Sequence, residues 1–208
     1  MESPAAGALV ELENVSLATP TGTILKRGLS FCLKPGELAI VTGPNGCGKS
    51  TLLKAIVGLL TPVAGKVKLN LPLGHIAFFP QLQNISVHLP LVLRDVLALG
   101  VTDLDESKVV SLGLLEKATL DLAWNTASGG ERNRTLLTQL LLREPALLLL
   151  DEPLNHLDME SRTRMTEVIS EFLLQKPNPG AVVLVSHEPA ENFSDPRIKK
   201  FEIAFSRE

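Results

Sequence analysis

The stretch GPNGCGKST, Gly43 to Thr51, lies between an apolar run, Leu38 to Val41, and a helix-like apolar run, Leu52 to Leu60. A buried strand must deliver this loop and a helix must leave it, which commits the chain to an α/β unit. Gly43, Gly48, Lys49 and Ser50 match the pattern glycine, four residues, Gly-Lys-Ser. Glycines let the backbone curl so that successive N–H groups face phosphate oxygens, and a helix starting near Lys49 adds its positive dipole end. Lys49 supplies a cation for β- and γ-phosphates, and Ser50 supplies a hydroxyl suited to Mg²⁺. Pro44, Asn45, Gly46, Cys47 and Thr51 complete the candidate cradle. The competing reading, a tight glycine turn with a solvated lysine, leaves the three glycines around Pro44 and Asn45 without a purpose.

A nucleotide hydrolase also needs a carboxylate at the end of a buried strand, near the metal. ALLLLDEP supplies one: Leu147 to Leu150 read as the strand, Asp151 stands at its carboxyl end, and Glu152 follows. Ligands of open α/β sheets bind at that end. Asp151 is the candidate for the Mg²⁺ shell, and Glu152 the candidate to face the attacking water.

The rest of the chain has the same alternation. LVELENVSL, ILKRGLSFCL and ELAIVTG read as strands, the first two forming an antiparallel N-terminal layer. GKVKLN and HIAFFPQ read as short strands, and Leu91 to Leu99 and Glu106 to Leu115 have helical spacing. A helix after SGGER, the ALLLLD strand, a helix from Met159 to Leu174, and the strand in AVVLVSH imply a mostly parallel sheet covered on both faces. With 208 residues, 45% of them hydrophobic, we expect one domain over 1–208: a core at about 1–84 and 128–208, and a small helical subdomain at about 85–127.

Composition narrows the function classes. A net charge of -3 without basic runs argues against nucleic acid as a partner. The most apolar region, TLLTQLLLREPALLLLDEP, is interrupted by Gln139, Arg143, Glu144 and Pro145, so no membrane span is expected. The acidic start MESPAAGALVELE does not resemble a secretion signal, and two cysteines suit a reducing compartment.

SGGER, Ser128 to Arg132, stands about 20 residues before LLLLDEPLNHLD. On residues alone, Ser128 caps a helix and Glu131 closes a capping box. In this order and company, however, the motifs resemble those of the nucleotide-binding subunit of an ATP-binding cassette (ABC) transporter, over nearly the whole chain. The resemblance implies a P-loop NTPase core that binds ATP and Mg²⁺ and hydrolyses ATP. It also implies that Ser128, Gly129 and Gly130 contact the γ-phosphate held by a second copy. Gln81 matches the glutamine that senses Mg²⁺ and γ-phosphate, Asp158 the aspartate linking the two monomers, and His187 the switch histidine. The implied partners are a second identical chain on ATP binding and a transmembrane permease, through which alone this cytoplasmic chain would sit on the cytoplasmic face of the cell (inner) membrane.

Four features depart from the family pattern: no aromatic residue stands near Thr19 and Pro20 to stack on adenine, Ala127 replaces leucine before the Ser128-Gly129-Gly130 signature, Glu131 replaces the commoner glutamine, and Leu154 replaces threonine or serine. HLPLVLRDVLALG resembles a stretch of metal-ion and metal-chelate importers. The alternative to a transporter subunit is a soluble, non-transport cassette acting on a protein or ribonucleoprotein, which the LNHLD form also permits. A third reading, an inactive nucleotide-binding module, is disfavoured by the presence of Lys49, Asp151, Glu152 and His187.

Overall fold

The computed structural model describes residues 7–81, 90–155, 157–186 and 193–206. Among these, eight strands form two sheets. An antiparallel layer has the order β2-β1-β4, from β1 (Val10–Ala18), β2 (Ile24–Leu33) and β4 (Ala64–Leu69). A parallel sheet has the order β5-β6-β7-β3-β8, from β3 (Glu37–Thr42), β5 (Ile76–Phe79), β6 (Leu147–Asp151), β7 (Ala181–Val185) and β8 (Lys199–Ala204).

Side chains alternate across a strand, so each central strand divides its residues between two cores. Ala39, Val41, Leu147, Leu149, Val183 and Val185 pack towards α1 (Lys49–Ile56) and the antiparallel layer. Leu38, Ile40, Leu148, Leu150, Val182 and Leu184 pack towards α4 (Gly129–Leu142) and α5 (Met159–Leu174). Every residue of β6 and β7 is buried, which is why these strands read as unbroken apolar runs. Each fully buried leucine contributes about 1.5–3 kcal/mol, and this double core is the rigid base under the loop at Gly43.

Three helices, α1 first among them, stop short of what their apolar spacing predicts, whereas α5 has the expected bounds. α1 stops at Ile56 because Gly58 turns left-handed (φ 77°), where Gly58 N donates to Ala55 O at 3.2 Å and Leu59 N to Lys54 O at 2.9 Å. Between the two halves of the core lie α2 (Leu93–Leu97) and α3 (Glu106–Ser111), each followed by a left-handed glycine, Gly100 and Gly113. Their apolar faces form two small clusters, Leu93, Val96, Trp124 and Ala127, and Leu97, Val109, Leu115 and Leu120.

One strand escaped the sequence reading. β8 pairs in parallel with β3, Glu37 opposite Lys199 through Thr42 opposite Ala204. Its sequence, KKFEIA, is mostly exposed at the sheet edge, where charged side chains discourage pairing with other chains.

Candidate functional site

Register brings the two candidate halves of the site to one level. Val185 of β7 pairs with Val41 on one side and with Asp151 on the other. The loop leaving β3 and the carboxylate ending β6 are thus two strand spacings apart, about 9.6 Å. Across that gap, Ser186 N donates to Val41 O and Glu152 N to Val185 O, both at 3.1 Å.

The loop curls through left-handed glycines at Gly43 (φ 141°), Gly46 (φ 80°) and Gly48 (φ 106°). A Cβ on Gly43 would collide with the Phe205 carbonyl oxygen, and one on Gly48 would lie 2.9 Å from Leu25 Cβ. Pro44, Asn45 and Gly46 are exposed, Cys47 is buried, and Ser50 and Thr51 are half-buried in the first turn of α1. Lys49, only 5% exposed, turns back over the loop, and its Nζ donates to Gly43 O at 2.8 Å and Pro44 O at 3.1 Å. The ammonium is therefore held inside the curl whose glycines the pattern requires.

Asp151 is 3% exposed, and among the described residues its Oδ1 has no hydrogen-bond partner. Burial pushes its carboxyl above the ordinary range; a hydrogen bond with Ser50 opposes this, and the nearby Glu152 charge adds to it. A buried, half-satisfied carboxylate beside a serine hydroxyl is the donor set that Mg²⁺ takes from a protein while keeping most of its water and binding phosphate. The residues fit the ion: Asp151 and Ser50 would hold it. Asp151→Asn removes the buried charge. The variant is expected to unfold at a higher temperature than wild type without metal, by about 2–4 °C per kcal/mol gained, and to lose the further stabilisation that Mg²⁺ with nucleotide confers on wild type. A calorimetric melt with and without Mg-ATP checks both halves.

Glu152 adopts a left-handed backbone (φ 54°), which turns its side chain out of the strand direction. Its Oε2 accepts from Gln81 Nε2 at 3.1 Å and from Asn155 Nδ2 at 2.7 Å. Gln81 thus reaches Glu152 from the end of β5. Asn155 was missed from sequence, where it stood inside LNHLD without an assigned role; its spacing after Glu152 is the only signal the chain offered.

The signature lies at the start of α4. Ser128 and Gly129 are exposed and Gly130 is half-buried. Ser128 Oγ accepts from Glu131 N at 3.2 Å, and Glu131 Oε2 accepts from Ser128 N at 2.7 Å, completing the expected capping box. A hydrogen bond from the Ser128 side chain, then that from Ser128 N, hold the Glu131 carboxyl below its ordinary range. Asp158 is the N-cap of α5: its Oδ1 accepts from Ser161 N at 2.7 Å and its Oδ2 from Ser161 Oγ at 3.1 Å, and Arg134 also bonds Ser161 Oγ. These bonds lower the Asp158 carboxyl pKa. His187 lies outside the described residues, as does the segment 82–89 that follows Gln81. Among the described residues no helix is long and apolar enough to cross a membrane.

The family model described as ABC transporter matches residues 26–155. The zinc import ATP-binding protein ZnuC of Acinetobacter baylyi is 37% identical over 188 residues, covering 89% of this chain and 70% of that protein. The protein of the same name from Pseudomonas entomophila is 36% identical over 184 residues, covering 87% and 69%. Among solved structures, a metal-chelate type ABC transporter in an inward-facing conformation superposes with a TM-score of 0.78 at 23% identity, covering 97% of this chain and 81% of that one. The ATP-binding cassette MJ0796, solved as a dimer in a post-hydrolysis state with ADP and Pi, gives a TM-score of 0.73 at 23% identity, with 96% of each chain covered.

Proposed function

The chain belongs to the ABC transporter family as an ATP-binding, ATP-hydrolysing subunit, and on that premise we propose that it drives zinc import through a separate membrane permease, closing head to tail with a second copy over Mg-ATP. The observation that carries the reading is the division of the phosphate-binding groups. Lys49, Ser50, Asp151, Glu152 and Gln81 gather at the carboxyl ends of the parallel strands. Ser128 and Gly129, by contrast, form the exposed N-terminal end of α4, where the serine bonds only locally among the contacts described. A helix N-terminus of this kind binds anions, and a second copy's nucleotide is the anion it fits. Zinc as cargo rests on the relatives' names.

In this mechanism the glycine loop and Lys49 bind and orient the β- and γ-phosphates. Mg²⁺ bound at Ser50 and Asp151 supplies neutralisation of phosphate charge. Gln81 and Asn155 orient the Glu152 carboxylate, which accepts a proton from the attacking water, and His187 contacts the γ-phosphate. Ser128, Gly129 and Gly130 of one copy close on the γ-phosphate held by the other, and Asp158 links the pair. Loss of that phosphate removes the charge joining the copies, so they part, and the segment after Gln81 conveys the motion to the permease. Two measurements test the proposal: recovery of the chain with a permease from detergent-solubilised membranes, and loss of zinc uptake by cells carrying Lys49→Ala. Recovery with ribosomes instead would favour the non-transport cassette.

Base recognition should be weak. The turn from Thr19 to Thr23 is closed by its own bonds, Thr19 N to Thr23 O at 2.8 Å and Gly22 N to Thr19 O at 2.9 Å. The β2 side chain packed on the loop at Gly48 is Leu25, which has no ring face to stack. Stacking is worth about 1–3 kcal/mol per base, so ATP and GTP are expected to compete within roughly 10-fold of each other. A much stronger preference for ATP in competition binding would require groups that read the hydrogen-bonding edge of adenine, because stacking tolerates either purine.

A further inference from the structure

Asn133 lies on α4, beyond Ser128, and is only 9% exposed. Its Nδ2 donates to the Pro153 carbonyl at 3.1 Å and to the Asn155 carbonyl at 3.4 Å. Those carbonyls belong to the turn that follows Glu152. A non-glycine residue held left-handed costs about 1–3 kcal/mol and persists only where its surroundings over-determine it. Among the bonds that hold this turn are Glu152 N to Val185 O at 3.1 Å, Asn155 N to Glu152 O at 3.3 Å, Asn155 Nδ2 to Glu152 Oε2 at 2.7 Å, and the forked amide of Asn133. Only the last of these comes from α4.

We propose that Asn133 is a positioning residue for hydrolysis, tying the turn that aims Glu152 to the helix that presents Ser128. This rests on the head-to-tail reading above. In such a pair Ser128 meets the nucleotide of the other copy while Glu152 serves the nucleotide of its own. Asn133 therefore makes engagement at one site set the base carboxylate at the other. It touches no substrate atom and acts through the backbone of 153–155 and the Asn155 amide.

The test is Asn133→Leu in the purified full chain, a change that keeps the branched outline and number of heavy atoms and removes both donors. A misplacement of about 1 Å costs on the order of 100-fold in rate, so kcat is expected to fall roughly 10- to 100-fold while KM and fluorescent-ATP affinity stay within about 2-fold. Asn155→Ala should lower kcat as well, and the double variant should lose less than the product of the two single losses, because both residues act on one carboxylate. A lowered melting temperature with wild-type kcat would make Asn133 merely structural and overturn the inference. Multiplicative losses would overturn it too. Should the leucine variant fail to fold, Asn133→Ser, which retains one donor, is expected to give an intermediate kcat, and a wild-type kcat there counts against the proposal. Glu152→Gln measured alongside separates the two levels. Turnover lost in that variant but normal in Asn133→Leu sinks the positioning role alone, whereas turnover normal in both removes Glu152 as the base.

Discussion

Lys49→Ala abolishes ATP turnover, with an expected fall of at least about 100- to 1,000-fold, the scale seen when one preorganised charge-stabilising group is removed. The expectation comes from where the ammonium is held. Lys49 opens α1, is almost wholly buried, and bonds the carbonyls of Gly43 and Pro44 across the curl. Phosphates bound by the loop's N–H groups would meet that cation at close range and out of bulk water. There its charge is screened far less than at a surface. Alanine removes the cation and leaves two loop carbonyls without their donor, so nucleotide affinity should fall together with kcat. The fold should survive, because alanine is the best helix former and the position lies in a helix. Phosphate release by a folded variant decides the matter, and near-normal turnover would dismantle the phosphate site as assigned.

The features that led from sequence to site were those with strong local periodicity. β3, the loop and α1 are consecutive, and β6 is a solid apolar block ending in Asp151, so strand, cradle and carboxylate were all legible. β8 was not, because KKFEIA buries little and owes its place to pairing with β3 from far along the chain. The tie between Asn133 and Asn155 was invisible for a related reason: the side-chain amide of Asn133 finds the Asn155 carbonyl across 22 residues, and nothing in either neighbourhood signals that contact. Asp158 shows a third case, in which one aspartate assigned to the partner copy also has a purely local duty as a helix cap. If Asp158 links the pair as proposed, capping and trans contact draw on the same carboxylate. Closure of the pair must then either share its oxygens or displace Ser161.

Glu152→Gln is expected to slow hydrolysis by about 100- to 10,000-fold, the range attributed to a positioned general base, while ATP binding is retained. Glutamine keeps the length of glutamate and one carbonyl oxygen, so the donations from Gln81 and Asn155 to that side chain can persist. What it loses is the capacity to take a proton from water. If the γ-phosphate joins two copies through Ser128, blocking its removal holds the closed pair. Wild type should therefore run as a monomer, and the variant as a dimer with ATP but not with ADP. Size-exclusion chromatography with light scattering reads this directly. A variant that binds ATP and stays monomeric would count against the trans role of Ser128 or place closure under control of the permease; repeating the measurement with the permease present separates those two. A variant that hydrolyses ATP at the wild-type rate would take the proton-accepting role away from Glu152 and leave the Gln81 and Asn155 bonds as structural ties at the end of β6.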